Sequence, residues 1–392
     1  MLKYKNYIIS VILVIIWSLF FSIYKYYTWG LFDEDFLTLE YIAAYLSLGG
    51  FFSFIIGGFI YELLKERKFH FIISTLSILA IIILYLQYLF PVYDNIIIIT
   101  SITIFIGFTY SFWVILRSIL ISTEINKNYA SDTLLNGIAN ISFISSLIIG
   151  SILGGYLVEK LNEKGVYIIL LILLISALSG LFLSNNLSIS DNKNLKSRFK
   201  EYKEHYIRDF LYVFKKYYIE MIFLGMIIVI ATIISQKAIQ YIVENTDMKQ
   251  SIATFILLAS ALGSVIGNVL SMKINKNKWY FFMICSFLFG ISTIILPFFL
   301  LNFIITILVA FVAGVFFGIV FNLLESDYLK NIAIDDKKSY GGTSLGLISS
   351  LVIGIMMILI DEIDKIVGIT TTYIILGIIL FIIGILIYFR KK

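Results

Sequence analysis

Residues 144–150 read Ile-Ser-Ser-Leu-Ile-Ile-Gly, and nearly the same run returns later in the chain as Ile-Ser-Ser-Leu-Val-Ile-Gly at residues 348–354. Other landmarks pair in the same order and at nearly the same separation: Pro91 with Pro297, Gly58 with Gly267, Gly107 with Gly314, and Gly137 with Gly341. Chance does not readily produce such an ordered set, even in a chain rich in isoleucine. The sequence therefore predicts an internal duplication into two homologous halves.

Composition places both halves in a membrane. Hydrophobic residues make up 60% of the 392 residues and charged residues only 14%, so a water-soluble chain of this kind would expose apolar surface everywhere. A helix needs roughly twenty apolar residues to cross a bilayer core of about 30 Å. Twelve stretches meet this requirement, at residues 7–27, 40–63, 70–90, 95–117, 133–158, 165–185, 218–241, 251–272, 279–300, 303–325, 341–360 and 369–389. We therefore predict an all-α membrane protein of twelve transmembrane helices in two pseudo-symmetric six-helix halves, a plan typical of secondary transporters.

A polar stretch at residues 187–216 divides the predicted halves, which are residues 1–186 and 217–392. Within this stretch apolar residues recur every three or four positions while basic residues occupy the other faces, which predicts an amphipathic helix. The apolar positions are Leu195, Phe199, Tyr202, Tyr206 and Phe210. A basic amphipathic helix is attracted to anionic lipid, so we expect a cytoplasmic linker on the inner membrane surface. Binding of a partner by this helix is the alternative.

Positive charge is concentrated on alternate connections. Lys and Arg cluster after spans two, six, eight and ten and at the carboxyl terminus, whereas the opposite connections lean acidic. The positive-inside rule then places both termini in the cytoplasm, and the net charge of +5 reflects topology rather than nucleic-acid binding. The first span has no clear cleavage site, so we expect a retained helix. Richness in Ile, Asn and Lys is typical of an AT-rich bacterial genome, and we expect a bacterial inner membrane protein.

The chain offers few groups for catalysis or metal binding. Its single cysteine, Cys285, lies in an apolar run, and its two histidines, His70 and His205, fall in predicted cytoplasmic connections. We therefore expect no disulfide, no metal site and no intramembrane enzyme activity. Because the sequence carries no phosphate-binding glycine loop, we expect no cofactor, and an ion gradient rather than bound ATP as the energy source.

The end of span two carries a glycine four residues before an acid, followed by basic residues. Residues 58–68 read Gly-Phe-Ile-Tyr-Glu-Leu-Leu-Lys-Glu-Arg-Lys. This resembles the signature Gly-x-x-x-Asp-Arg-x-Gly-Arg-Arg between helices two and three of the major facilitator superfamily. The resemblance implies close helix approach at Gly58, a capping or pairing role for Glu62, and a basic loop end at Arg67 and Lys68. An ordinary positive-inside loop is the alternative.

Span five ends with a second motif. Residues 150–155 read Gly-Ser-Ile-Leu-Gly-Gly, which resembles the Gly-Pro-x-x-Gly-Gly element of the drug-proton antiporter branch of that superfamily. On this resemblance Gly150, Gly154 and Gly155 belong to an antiporter-like element, and the chain is closest to the drug and macrolide efflux branch. Export is therefore favoured, and static packing of small residues is the alternative. In span four Ile104 occupies the place of an arginine that this branch associates with proton coupling.

The resemblance further implies that helices one, four, seven and ten line a central cavity. Arg117 in span four and Glu325 in span ten occupy similar depths near the cytoplasmic ends of related helices. We predict that they form an inner gate that is closed in the outward-facing state, with Glu325 as a candidate proton carrier. The alternative is that Arg117 reaches the lipid headgroups and Glu325 begins a loop.

A candidate substrate cavity follows from these helices together with span five. Its predicted lining is aromatic with few polar groups: Trp17, Ser22, Tyr110, Trp113, Asn136, Asn140, Thr232, Gln236, Lys237 and Asn322. Such a lining suits a bulky amphipathic solute better than a sugar, which needs many fixed hydrogen bonds. Lys25 and Lys237 occupy matching places near the outer ends of spans one and seven, where they either hold an anionic group or reach the membrane interface. For each polar residue the alternative is ordinary interhelical hydrogen bonding.

Together these features predict a transporter that exports an amphipathic organic solute by rocking of its halves, in exchange for protons. The expected partners are the solute, protons and the lipid bilayer, and the protein is expected to be monomeric. An importer or a lipid-linked flippase on the same scaffold is the alternative among transporters. A non-transporting membrane receptor or assembly factor is the alternative from another class.

Overall fold

The computed structural model describes residues 5–31, 39–89, 96–126, 132–165, 167–172, 174–175, 178, 195–246, 248, 250–274, 277–335 and 338–392. In these ranges every regular element is a helix. The physical reason lies in the solvent, because lipid offers no hydrogen-bonding partner for a backbone N–H or C=O group. A helix satisfies both groups within one segment, so apolar stretches of this length adopt it.

The first half contributes four long helices: α1 (Lys5–Leu31), α2 (Leu39–Leu89), α3 (Ile96–Asn126) and α4 (Asp132–Leu161). A 3₁₀ turn, Asn162–Gly165, follows α4, and the predicted sixth span is described only in part. The second half contributes six helices: α5 (Leu195–Asn245), α6 (Phe255–Ser271), α7 (Lys278–Ile295), α8 (Phe303–Ile334), α9 (Lys338–Val367) and α10 (Ile369–Lys391). A short helix, Gln250–Ala253, precedes α6, and a 3₁₀ turn, Leu296–Phe299, follows α7.

Seven stretches of the described residues are long and apolar enough to cross a bilayer: Ile97–Ile115, Thr133–Leu161, Arg208–Asn245, Lys278–Phe299, Phe303–Ile334, Tyr340–Val367 and Ile369–Lys391. Three further apolar helices are shorter: Ile15–Lys25, Tyr41–Gly57 and Phe255–Ser271. These stretches coincide with predicted spans one, two, four and five and with predicted spans seven to twelve. The chain is therefore a multi-pass membrane protein.

The connection between predicted spans two and three is helical rather than a loop. The structure has continuous helical backbone over α2, which covers both spans and the residues between them. Glu62, Arg67 and Lys68 thus lie on a helix, as does Gly58, and the side chains at these positions fall outside the described residues. The stretch after Gly58 is rich in Leu, Lys, Glu and Arg, which are strong helix formers, and this explains why the backbone stays helical. The gating role of this motif stays a prediction.

The predicted domain boundary between residues 216 and 217 lies inside α5. This helix starts at Leu195 in the linker and runs without a break through the seventh span to Asn245. Lys216 contributes its Nζ to a 2.8 Å ion pair with Asp335 beyond the end of α8, and Tyr217 donates a 2.9 Å hydrogen bond to the same carboxylate. Burial raises the pKa of Asp335, but these two donors outweigh burial and hold it below its usual value. The last turns of the linker are therefore fixed to the second half.

Ion pairs around the buried Glu220 and the half-buried Asp327 join four helices of the second half at its predicted cytoplasmic end. Glu220 on α5 pairs with Arg390 at 3.3 Å and with Lys391 at 3.1 Å, both at the end of α10. Asp327 on α8 pairs with Lys278 of α7 at 2.7 Å and with Lys391 at 2.9 Å. Because the basic residues share their acidic partners, this network holds the helix ends together more firmly than separate surface pairs would.

Matched glycines have matched environments in the two halves. Gly107 on α3 lies against the backbone of Leu46 on α2, and its sequence counterpart Gly314 on α8 lies against the backbone of Ser260 on α6. In each case a Cβ atom would collide with a main-chain carbonyl group. The two helix pairs can therefore approach closely only because glycine lacks a side chain. This equivalence supports the duplication predicted from the sequence.

Substitution of Gly314 by alanine is expected to destabilise the protein. The added methyl group would meet the carbonyl of Ser260, so α6 and α8 must move apart, which costs about 2 kcal/mol as an overpacking change. Gly354→Ala is the matched control, because a Cβ at that position would lie 3.8 Å from the nearest atom, Cβ of Ser47, at an ordinary contact distance. Thermal unfolding in detergent should show a lower melting temperature for Gly314→Ala only. Equal melting temperatures for the two variants would contradict the close approach.

Candidate functional site

A cavity of about 370 Å³ lies between the two halves. Its described walls come from α1, α2, α3 and α4 of the first half and from α5, α6, α8 and α9 of the second. The volume falls in the range of sites that enclose a small organic molecule, roughly 300–1,000 Å³. Because both halves supply its walls, any rocking of one half against the other would change its shape and its access.

The walls are mainly aromatic and aliphatic. Phe21 on α1 and Tyr110 on α3 stack with ring centroids 4.1 Å apart, and further phenylalanines complete the apolar lining: Phe54, Phe143, Phe317 and Phe321. Serines from several helices add hydroxyl groups at intervals. Aromatic faces bind flat apolar surfaces, and a few hydroxyl groups orient them. This lining suits a solute with an apolar body and few polar groups.

Glu325 forms one end of the cavity and is held by the opposite half. Its carboxylate accepts a hydrogen bond from the Nδ2 group of Asn136 and another from that of Asn140, each at 2.8 Å. Both asparagines lie on α4, whereas Glu325 lies on α8 and is only 4% exposed. A buried carboxylate requires such donors, because otherwise its transfer out of water is very costly. The two halves are thus joined by polar contacts at this end.

The network continues behind the cavity wall. Asn322 accepts a 3.0 Å hydrogen bond from Asn136 and donates at 2.6 Å to the hydroxyl of Ser271 on α6. The same amide of Asn322 lies 3.3 Å from the carbonyl oxygen of Thr133 on α4. Asn136 and Asn322 therefore orient Glu325 and link helices. They do not line the described cavity wall, which corrects their predicted position.

The described contacts of Glu325 are with the opposite half, and the predicted pairing with Arg117 involves a side chain that the structure does not describe. Glu325 lies well inside α8 and does not begin a loop, so that alternative was wrong. Its described partners are asparagines of α4, which bring neutral N–H donors to the carboxylate. The side chain of Arg117 lies outside the described residues. The gate between Arg117 and Glu325 stays a prediction.

Lys25 marks the opposite end of the cavity. Tyr24, its neighbour on α1, shares a 3.0 Å hydrogen bond with Thr103 of α3. Ser118, farther along α3, packs against Gly342 at the end of the cavity where Glu325 lies. Thr103 and Ser118 are fifteen residues apart on α3, about 22 Å at the rise of a helix. Lys25 and Glu325 are therefore at opposite poles of the cavity.

Lys237 does not line the cavity wall described by the structure, in contrast to the sequence prediction. Its Nζ pairs with Asp361 at 2.7 Å and with Asp364 at 3.2 Å, and both the lysine and Asp361 are buried. The prediction failed because the acidic residues were assigned to a loop, whereas α9 continues as a helix to Val367 and carries them beside α5. Lys365 also pairs with Asp361, at 3.0 Å.

The two predicted tryptophans lie behind the cavity. Trp17 and Trp113 are each 1% exposed and stack on one another with centroids 5.6 Å apart, which fixes α1 against α3. Five predicted positions do lie on the cavity wall: Ser22, Tyr110, Asn140, Thr232 and Gln236. Their role in binding stays a prediction.

The antiporter-like element of α4 packs against α1. A Cβ at Gly150 would lie 2.6 Å from the carbonyl oxygen of Leu19 and 2.7 Å from Cβ of Ser22, so only glycine fits here. Ser22 donates a 2.6 Å hydrogen bond to the carbonyl of Leu147 one turn earlier. Gly154 and Gly155 are buried farther along the same helix. The motif thus brings two cavity-lining helices into close contact.

Sequence reasoning missed the contribution of α2 and α9. Residues of both helices line the cavity, among them Phe54 of α2 and Gly346, Ser350 and Met357 of α9. Gly346 faces the ring of Phe54, and Gly50 of α2 faces Ser350, so small residues let these helices pack across the two halves. The regular spacing of small residues along α9 is the signal that could have indicated this contact.

Comparison with known proteins identifies the family. The sequence model of the Major Facilitator Superfamily matches residues 131–360, more than half of the chain. The chain belongs to the major facilitator superfamily. No curated protein sequence is a significant match to it.

Solved structures of major facilitator proteins share the fold. The proton:xylose symporter XylE, solved with 6-bromo-6-deoxy-D-glucose, has 13% sequence identity and a TM-score of 0.74 over 99% of this chain and 94% of that one. The E. coli fucose:proton symporter FucP has 12% identity and a TM-score of 0.68 over 100% and 99% of the two chains. The twelve-helix fold predicted from the sequence is consistent with these neighbours. Family and fold together point to a transporter, not an enzyme.

The ion-pair cluster around Lys237 is expected to stabilise the fold without contributing to solute binding. Lys237→Met leaves the buried Asp361 and the half-buried Asp364 with one fewer cation, and we expect a loss of about 3 kcal/mol in stability. Adding Asp361→Asn should recover part of this loss, because the uncompensated charge is removed. A double-mutant cycle in thermal unfolding measures the coupling. Simple additivity of the two changes would show that the pair does not act as a unit.

Proposed function

We propose that this major facilitator protein exports an amphipathic organic solute by alternating access, in exchange for protons. The observation that carries the proposal is the cavity between the halves, whose walls are aromatic and aliphatic and whose described charged groups lie only at its two ends. A solute with an apolar body fits such walls, and its polar group would lie at an end. Movement of the halves would then expose the same site to each side of the membrane in turn.

The lining favours an amphipathic solute over a sugar. A sugar presents hydroxyl groups in all directions and requires many fixed partners, whereas the described side chains of this cavity are mostly Phe, Leu, Ile, Ala and Ser. Of the lining serines, Ser22 and Ser111 donate to backbone carbonyls of Leu147 and Gly107. These hydroxyl protons are therefore already used within the protein. The resemblance of residues 150–155 to an antiporter element supports export.

Proton coupling is assigned to Glu325. It is the carboxylate among the described lining residues, and its partners Asn136 and Asn140 belong to the other half. When Glu325 is ionised, the amide donors satisfy its charge and hold the halves together at this end. Protonation removes that charge and weakens the two hydrogen bonds, because charge-assisted bonds are roughly twice as strong as neutral ones. The proton therefore changes how readily this end opens.

Uptake on the same scaffold is the second candidate. XylE and FucP are described as proton symporters, and the fold alone does not distinguish the direction of transport. The same buried carboxylate can couple protons to import if the proton and the solute load from the same side. The experiment below also distinguishes these two candidates from transport of a lipid-linked solute and from a non-transporting role.

Replacement of Glu325 by glutamine is expected to abolish transport driven by a proton gradient. Proteoliposomes are loaded with fluorescent amphipathic dyes or macrolides, and a proton gradient is imposed in either direction. We expect the wild-type protein to move solute in the direction opposite to proton flow. The rate of this movement should be at least about tenfold lower with Glu325→Gln. Solute exchange without a gradient should persist, because the glutamine side chain can still occupy the cavity end.

The matched control is Glu244→Gln, which removes an exposed carboxylate at the end of α5. It should transport like the wild type. An unchanged transport rate and pH dependence in Glu325→Gln would overturn the coupling role. Movement of the solute in the same direction as the protons would identify a symporter. If no dye, macrolide or lipid-linked solute moves, the non-transporting alternative is favoured.

Loss of the amide at residue 136 is expected to open the Glu325 end of the cavity. Asn136→Leu removes one of the two donors to the buried carboxylate, so closure of this end becomes less favourable. A cysteine introduced at Ser118, in protein whose native Cys285 is replaced by alanine, reports access to this end. Modification by a membrane-impermeant thiol reagent should be several-fold faster with Asn136→Leu. An unchanged rate would mean that the asparagine contact does not hold this end closed.

A further inference from the structure

The wall that α5 contributes to the cavity is apolar along most of its length and polar at one end. Its first three lining residues carry hydrocarbon side chains, and its last three carry a hydroxyl or an amide group. In chain order these residues are Leu224, Ile228, Ala231, Thr232, Ser235 and Gln236. A solute with an apolar body and a polar group at one end matches this order.

The polar end of this wall lies far from Glu325. Glu220, nearer the start of α5, and Asp327 of α8 both pair with Lys391. Glu325 is two residues before Asp327, so Glu220 marks the level of Glu325 on α5. Gln236 is sixteen residues beyond Glu220, about 24 Å at the rise of a helix. A polar group held beside Gln236 is therefore separate from the carboxylate to which proton coupling is assigned.

The two hydroxyl groups closest to Gln236 in the chain have already used their protons. Thr232 donates a 2.8 Å hydrogen bond to the carbonyl oxygen of Ile228, and Ser235 donates one of 3.4 Å to that of Ala231. Each hydroxyl oxygen keeps lone pairs that can accept a further hydrogen bond. At this end of α5 the hydroxyl groups therefore offer acceptors rather than donors to a solute.

The amide of Gln236 adds an acceptor that lacks a donor. The residue is 3% exposed, and its Oε1 atom is buried without a hydrogen-bond partner in the part of the chain that the structure describes. A buried carbonyl oxygen without a donor costs free energy, which a donor brought by a ligand recovers. The terminal torsion of glutamine is soft, so the amide can turn its oxygen towards a group bound in the cavity.

We propose that Gln236 determines substrate specificity, and that the solute carries a hydrogen-bond donor, an N–H or O–H group, at one end of its apolar body. This inference rests on the proposed transport function and names the substrate class of the same cavity. The donor would bind Oε1 of Gln236, and the hydroxyl oxygens of Thr232 and Ser235 would lie beside it. A solute whose polar atoms are all acceptors leaves the carbonyl of Gln236 without a partner and is disfavoured.

The test compares two neutral probes of nearly the same shape. Methyl indole-3-acetate carries one N–H donor, and methyl benzofuran-3-acetate has a ring oxygen in place of that group. Because both probes are uncharged and share the ester acceptor, the difference in affinity reports the donor. Binding to the purified full-length protein is measured by titration calorimetry. We expect the indole ester to bind about fivefold more tightly, as the net gain of one hydrogen bond would give.

Two variants remove the acceptor, Gln236→Met and Gln236→Leu, and each should make the two affinities equal. A purely structural role of the amide would instead weaken the binding of both probes alike. Gln240→Met is the matched control. Oε1 of Gln240 is also buried without a described partner one turn farther along α5, but Gln240 is not among the described lining residues. This control should keep the preference for the indole ester. The melting temperature of each variant without probe shows that it is folded.

Several results would overturn the subsite. They are equal or tighter binding of the benzofuran ester to the wild type, an indole preference that survives both substitutions of Gln236, and no binding of either probe. Transport is measured separately with the same probes in proteoliposomes. If the indole ester binds through Gln236 but is not moved, the transport function fails and the subsite stands. If the benzofuran ester is moved as fast as the indole ester, transport stands and the donor requirement is overturned.

Discussion

Among the described residues the carboxylate of Glu325 receives its hydrogen bonds from the opposite half of the molecule, and this contact closes one end of the central cavity. Asn136 and Asn140 supply the donors from α4, and α8 supplies the acceptor. A charge taken out of water inside a membrane protein is costly unless fixed donors receive it, so neither half could complete this end alone. In the transport cycle that we propose, opening of the cavity here would hydrate or protonate the carboxylate. The proposed coupling thus links a chemical event to a movement of the halves.

Duplication supplied the scaffold, and divergence of a few buried residues made the two halves unequal. Gly107 and Gly314 retain the same close backbone contact in both halves, because any side chain there would collide with a carbonyl. Lys25 lies on the cavity wall, whereas Lys237 lies outside the described wall and pairs with Asp361. Packing positions tolerate little change, whereas a charged position can change its role when a single neighbour is replaced. The described cavity lining accordingly contains Lys25 and Glu325 rather than two matching groups.

Much of the fold was predictable, and less of the site. Ten of the predicted spans coincide with apolar helices among the described residues, and the matched glycines Gly107 and Gly314 make equivalent backbone contacts. The continuous helices α2 and α5 were missed, because charge at a predicted connection was interpreted as a loop although Leu, Lys and Glu also favour helix. At the cavity, Ser22 and Gln236 lie on the described wall, and their role in binding stays a prediction. Trp17 does not lie on this wall, because its large apolar ring is buried against Trp113.

The sequence by itself determined that this is an all-helical, duplicated membrane protein, because the length of an apolar run and the spacing of small residues have direct physical meaning in lipid. Only the tertiary structure decided which partner each buried polar side chain meets. Asn136 and Glu325 are 189 positions apart in the chain, and Lys237 and Asp361 are 124 positions apart. No local pattern encodes such pairs, since hydrogen bonds and ion pairs are selected by the packing of whole helices in three dimensions.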